Sequence, residues 1–166
     1  MGAVRAGRTN ANATRIFLNF SIDGNQTWSA PQQISGYISH TFMGARFQPW
    51  IVADSSGLHA MWYERVASAM SGPDMLQSYN EDLSLATTAA GPSSAQGETM
   101  ISSVTFPIVQ TNPQQDPVIS FCYKGDDNNI ASNGTIYFVT WGDNRNVVTT
   151  SAGTTENEPD VFLQTY

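Results

Sequence analysis

Ser21-Ile22-Asp23-Gly24-Asn25-Gln26-Thr27-Trp28 follows the apolar run 16–20 without a break and leads into Ser29-Ala30-Pro31. Ser, Asp, Gly and Asn at this density make a tight turn. Gly and Asn accept a left-handed backbone, and a short carboxylate takes the N–H groups of the residues after it. Asp23 is therefore read as a turn residue, since no second carboxylate stands at a spacing useful for acid–base chemistry. Trp28 offers an apolar body to anchor the turn onto a sheet.

Strand periodicity adjoins this turn and recurs along the chain. Residues 15–20 (R-I-F-L-N-F), 58–63 (L-H-A-M-W-Y), 135–141 (T-I-Y-F-V-T-W) and 160–166 (D-V-F-L-Q-T-Y) are short, rich in aromatic and β-branched residues, and bounded by turn residues. The one Ala-rich stretch, 66–70, runs straight into Ser71-Gly72-Pro73 and makes no core helix. Ser55-Ser56-Gly57 and Ser132-Asn133-Gly134 each separate two such runs and predict two tight hairpins. The two look like copies of one unit. Each is followed by a strand ending in Trp with an acidic and a basic residue, Trp62-Tyr63-Glu64-Arg65 and Trp141-Gly142-Asp143-Asn144-Arg145. A loop follows each, 66–73 and 146–159, and then a strand that starts at Asp74 or Asp160. Apolar residues fall on both faces: Ile136 and Phe138 point one way, Tyr137, Val139 and Trp141 the other. A sheet held between two neighbouring sheets reads this way, and repeated antiparallel hairpins suit a propeller, with a β-sandwich as the alternative.

Composition narrows the function. A chain of 166 residues, 40% hydrophobic and 11% aromatic, has the apolar content for a core and is not disordered. The net charge is −7, and the seven Lys and Arg are scattered singly, so no basic stripe tracks a phosphate backbone and nucleic acid is excluded as a partner. No apolar run is long enough to insert in a membrane, and residues 1–15 carry no apolar core of signal-peptide type. One cysteine, Cys122, excludes an internal disulfide and reads as a buried small hydrophobe. Asn12, Asn19, Asn25 and Asn133 head Asn-x-Ser/Thr triplets, glycosylation acceptors in a eukaryotic secretory route, though chance accounts for most of them in a chain this rich in those residues.

The opening octapeptide resembles the Asp-box of sialidase-like (BNR-repeat) β-propellers, S-x-D-x-G-x-T-W. Ser21, Asp23, Thr27 and Trp28 match, and Asn25 stands where the family has Gly. Gln110-Thr-Asn-Pro-Gln-Gln-Asp-Pro117, Cys122-Tyr-Lys-Gly-Asp126, Trp141 to Arg145 and Pro159-Asp-Val-Phe162 resemble the closing blades of the same group, as does Gln48-Pro-Trp-Ile-Val-Ala-Asp54. The resemblance covers about residues 14–166. It implies an all-β fold of antiparallel propeller blades: 14–35 ending one blade with the Asp-box, 44–91 one blade, and 126–166 most of a further one, after a flexible segment 1–13. That is an incomplete ring of about two to three blades, where closure takes about four or more. The remaining blades would come from a longer parent chain or a homo-oligomer.

Propellers of this group include glycosidases, lectin-like binders and scaffolds. The resemblance implies, for an active member, an arginine triad clamping the substrate carboxylate, a Tyr nucleophile activated by Glu, and an Asp acid. Thr14-Arg15-Ile16-Phe17 lacks the proline of the family's Arg-Ile-Pro motif, and Tyr63 and Glu64, as strand neighbours, point to opposite faces. The expectation is a non-catalytic segment with a structural or glycan-binding role, and an extracytoplasmic location by resemblance. The alternative is part of an exo-acting, sialidase-type glycoside hydrolase with its catalytic residues outside this chain. Arg65, Arg145, Asp143, Trp141 and Tyr123 are the candidate ligand-binding residues, with Trp50 and Trp62 as further stacking platforms. The competing reading makes Arg65 and Arg145 partners in local salt bridges or in hydrogen bonds to the loops that follow, and at least two of the four aromatics inter-blade core. Asp116, Asp126, Asp127, Asp143 and Asp160 are the oxygen donors for a weak Ca²⁺ expectation, but no calcium-loop spacing occurs and no other cofactor is implied. His40 and His59 have no ligand-spaced partner.

Overall fold

The computed structural model describes residues 2–10, 13–35, 46–55, 57–66, 75–84, 94–102, 104, 106–107 and 128–166. The described residues are all-β, without a helix, and every strand pair is antiparallel. Three sheets form in chain order. The first runs β1 (Gly2–Asn10), β2 (Ala13–Phe20), β3 (Gln32–Gln33). The central sheet runs β4 (Arg46–Asp54), β5 (Gly57–Val66), β6 (Met75–Ser84), β7 (Ser94–Met100), and β8 (Phe106–Pro107) pairs with the start of β6. The third holds β9 (Asn129–Ser132), β10 (Tyr137–Thr149) and β11 (Thr155–Thr165), with β10 in the middle.

Strand β5 sets the layering. Leu58, Ala60 and Trp62 are buried with Ile16 and Leu18 of β2 and with Ile34. Met61 and Tyr63 lie on the opposite face, because side chains alternate along a strand, and are buried with Ile130, Tyr137, Val139 and Trp141 of the third sheet. The central sheet is thus covered on both faces, and β4 meets both neighbours, β1 and β2 on one side and β9 on the other. The third sheet is apolar inward and open outward. Val161 and Leu163, opposite Gly142 and Thr140, are 81% and 64% exposed.

Both hairpins form where turn chemistry places them: Asp54 lies opposite Gly57, and Ser132 opposite Tyr137 with Gly134 at φ 92°. Other boundaries shift. In place of a flexible segment over 1–13, Gly2–Asn10 pairs with β2, from Gly2 opposite Phe20 to Asn10 opposite Ala13. Gly2, Ala3, Ala6 and Gly7 give no apolar alternation to read, and what they supply is backbone groups for β2's ladder. The sheet expected over 44–91 continues to Met100 through β7. The loop expected over 146–159 contracts to a turn at 150–154, since Val147, Val148 and Thr149 prolong β10. Pro159 sits inside β11, where the register steps from Asp143↔Asp160 to Asn146↔Glu158; at such a bulge a missing N–H costs the ladder nothing.

The turn at 21–28 closes through its own side chains. Asp23 Oδ1 accepts the N–H groups of Gln26 (3.1 Å) and Thr27 (2.9 Å) and the Ser21 hydroxyl (2.8 Å), while Oδ2 accepts the Thr27 hydroxyl at 2.5 Å. Ser21 Oγ accepts the Asn25 N–H at 2.9 Å. Gly24 and Asn25 are both left-handed, at φ 72° and 71°, a backbone angle that Asn accepts almost as Gly does. Trp28 differs from expectation: it is 43% exposed, and the exit from the turn is fastened by Ser29, whose N–H donates to Phe20 O and whose hydroxyl accepts the Phe20 N–H.

The Thr27 hydroxyl first, then the Thr27 N–H and the Ser21 hydroxyl, pull the Asp23 carboxyl from 3.8 down to about 2. A carboxylate held below its unfolded value contributes stability above that value and loses it as pH falls from about 4 toward about 2. A carboxyl-detected NMR titration is expected to place the Asp23 midpoint near 2, with Thr27→Ala moving it upward. A wild-type midpoint near 3.8 would show that these bonds do not hold in solution.

Candidate functional site

The repeated Trp-x-acid sequence places equivalent groups in equivalent positions. Trp62 and Glu64 of β5 face the first sheet, and Trp141 and Asp143 of β10 face the central one, so each pair looks toward the sheet that precedes it in the chain. Each carboxylate is buried, and each is answered by an arginine. Glu64 takes Arg46 from the neighbouring strand β4, directly opposite in register, at 3.0 Å with both side chains almost wholly buried. Asp143 takes Arg145 from its own strand, two residues on.

The third-sheet cluster is bonded throughout. Asp143 accepts Trp141 Nε1 at 2.9 Å, and its Oδ1 accepts both the backbone N–H (3.0 Å) and Nε (2.9 Å) of Arg145. Arg145 Nη2 donates to Ser102 O at 2.8 Å, and the guanidinium lies 4.2 Å from the Phe162 ring centroid. Phe162 in turn stacks on Trp141 at 5.9 Å. The bulge opposite Pro159 falls at Asn144 and Arg145 and turns the Arg145 guanidinium back onto Asp143. In the central sheet Glu64 is turned to Arg46, and Trp62 Nε1 is buried with no acceptor among the described residues.

Tyr63 joins the two clusters. Its hydroxyl donates to Gly142 O (3.0 Å) and accepts the Gly142 N–H (2.9 Å), across 79 residues of chain. Burial, with Asp143 adding repulsion, pushes its pKa well above that of an ordinary tyrosine. A phenol this reluctant to ionise is a structural tie and a poor nucleophile. Glu64 lies on the other face of β5, so the Tyr63–Glu64 pair forms no nucleophile and base.

Of the candidate ligand-binding residues, the structure brings Trp141, Asp143 and Arg145 together. Tyr123 lies outside the described residues, as do Cys122, His40, Asp116, Asp126 and Asp127. The backbone of Arg65 pairs with Leu76, and its side chain is outside the described residues. Glu64 pairs with Arg46 of the neighbouring strand. That pairing follows from the register step around Gln48 and Pro49, with Gln48 at φ 50°, and no local spacing announces it. Trp62 and Trp141 are core and offer no face to a sugar, whereas Trp50 is 47% exposed. Asp160 accepts Asn146 Nδ2 at 2.6 Å, and no group of three or more metal-ligating side chains occurs among the described residues. Neither a protein-family model nor a curated protein sequence matches the chain.

The buried Asp143 makes Arg145 the sensitive member of its pair, because removing one partner leaves an uncompensated charge inside. Arg145→Ala is expected to cost about 3–5 kcal/mol by urea denaturation. The double variant Asp143→Leu/Arg145→Ala should recover much of that loss. A single-variant cost below about 1 kcal/mol, the range of an exposed pair, would contradict the buried arrangement.

Proposed function

We propose that this chain is a non-catalytic segment of a sialidase-like, Asp-box β-propeller, with a structural role and glycan contact confined to exposed aromatics. The observation that carries the proposal is the central sheet covered on both faces, with Trp-x-acid facing the preceding sheet in two successive units. The self-bonded turn at Asp23 supports the same family. The arginines and carboxylates of the described cluster are engaged with one another, which favours a load-carrying part over a hydrolytic one. Trp50, half-exposed on the strand that meets both flanking sheets, takes the place of Trp141 as the stacking platform.

In this reading the outer face of the third sheet, with Val161, Leu163 and Ile136 exposed, is where the next blade packs, from a longer parent chain or a second copy. The purified chain is expected to self-associate in dilute solution and to turn monomeric on Val161→Asp/Leu163→Asp, by light scattering. A stable wild-type monomer would favour a self-sufficient stack of sheets instead. On a glycan array any binding should survive Arg145→Lys and vanish with Trp50→Ala. Release of sugar from a fluorogenic sialoside would overturn the non-catalytic assignment.

A further inference from the structure

The tips of the two hairpins meet at the end of the sheets away from the Trp-x-acid clusters. Asp54 Oδ1 lies 3.3 Å from His59 Nε2, and Asp54 Oδ2 accepts the Ser132 hydroxyl at 2.5 Å. Ser55 Oγ donates to Gly134 O at 3.1 Å. Ser, His and Asp are all present, but the carboxylate stands between the other two, which is not the order of a hydrolase triad. Ser132 Oγ instead faces the backbone: it accepts the Gly134 N–H at 2.9 Å. The residue between them, Asn133, has its side-chain Oδ1 held by two backbone donors, the N–H groups of Thr135 (3.0 Å) and Ile136 (2.9 Å).

We infer that Asn133-Gly134 is a self-modifying site, at which the Gly134 nitrogen closes on the Asn133 side-chain carbonyl carbon and expels ammonia. That reaction needs a nitrogen that can shed its proton and a carbonyl whose developing negative charge is stabilised. The Gly134 N–H points into a Ser132 hydroxyl that is itself bonded to the Asp54 carboxylate, a positioned proton acceptor. Two N–H groups already bond the oxygen on which the charge appears. Glycine at 134 has φ 92° and open space where a Cβ would stand, and residues 133–136 are all exposed, so water reaches the product.

The atoms balance without any partner but water. The Gly134 N–Cγ bond forms and the Cγ–Nδ2 bond breaks. The Gly134 proton passes to the Ser132–Asp54 pair, and Nδ2 takes up one proton from water as it leaves as ammonia, so the proton count is unchanged. Water then opens the five-membered imide at either carbonyl, giving aspartate or isoaspartate. Either product sets a new carboxylate at the tip that Asp54 clasps, and isoaspartate adds a backbone carbon that breaks the Ser132↔Tyr137 register. The modification therefore loosens the contact between the two hairpins.

The test incubates the whole purified chain in heavy-oxygen water at neutral pH and follows residue 133 by peptide mapping and isoaspartyl methyltransferase labelling. A synthetic peptide of residues 129–139 serves as the unstructured reference. The folded chain is expected to lose the Asn133 amide faster than the peptide by roughly tenfold or more, the scale of a positioned base. Ser132→Ala and Asp54→Asn, each checked for folding by circular dichroism, should bring it back to the peptide rate. An amide that survives longer in the folded chain than in the peptide would overturn the proposal, as would a folded Ser132→Ala chain that reacts at the wild-type rate.

Discussion

Two-sided burial of β5 is the constraint on which the rest of the structure depends. Ten residues, Gly57–Val66, send Leu58, Ala60 and Trp62 into one apolar layer and Met61 and Tyr63 into another. A strand with one polar face needs only one covering layer, whereas this one exposes a large aromatic to water if either neighbour is lost. Burying side chains the size of Trp62 or Tyr63 is worth roughly 1.5–3 kcal/mol each, so the two interfaces matter comparably to the first and third sheets. The chain order of the sheets follows from this: the central sheet has to lie between what comes before and what comes after.

The ends of the strands divide the polar work. At one end lie the buried pair Arg46–Glu64 and the Asp143–Arg145 pair; the Tyr63–Gly142 bonds tie the central sheet to the third, and the Arg46 N–H, donated to Thr14 Oγ1 at 2.8 Å, ties it to the first. Buried ion pairs of this kind add little net stability but enforce one arrangement, because a shifted register would strand a charge inside. Bulges at Gln48-Pro49 and opposite Pro159 bring the arginines into line. At the other end the hairpin tips are tied by short polar side chains, with Asp54 largely buried and residues 133–136 exposed to solvent.

What could be read ahead of the structure was local. The turn at Asp23 is written in bonds spanning two to four residues, and both hairpins in the preference of Gly for unusual backbone angles. The alternation along β5 and β10 gave the layered burial. Long-range register escaped: Arg46 meets Glu64 only because a bulge shifts β4 against β5, and no local spacing points to that pairing. β1 escaped because small residues carry no pattern, and Pro159 misled because a bulge tolerates what a regular ladder refuses. Trp141 was placed with the right neighbours, Asp143 and Arg145, but its ring belongs to the core rather than to a ligand.

Native-state hydrogen exchange tests the two-sided burial of β5 most directly, because amides in a layer covered on both faces open only when the whole structure does. The account predicts that the ladder amides across residues 58–64 are the slowest in the chain and share one opening free energy equal to that of global unfolding, while those of β11 exchange faster. Amides in β5 that exchange as fast as those of β11 would contradict it.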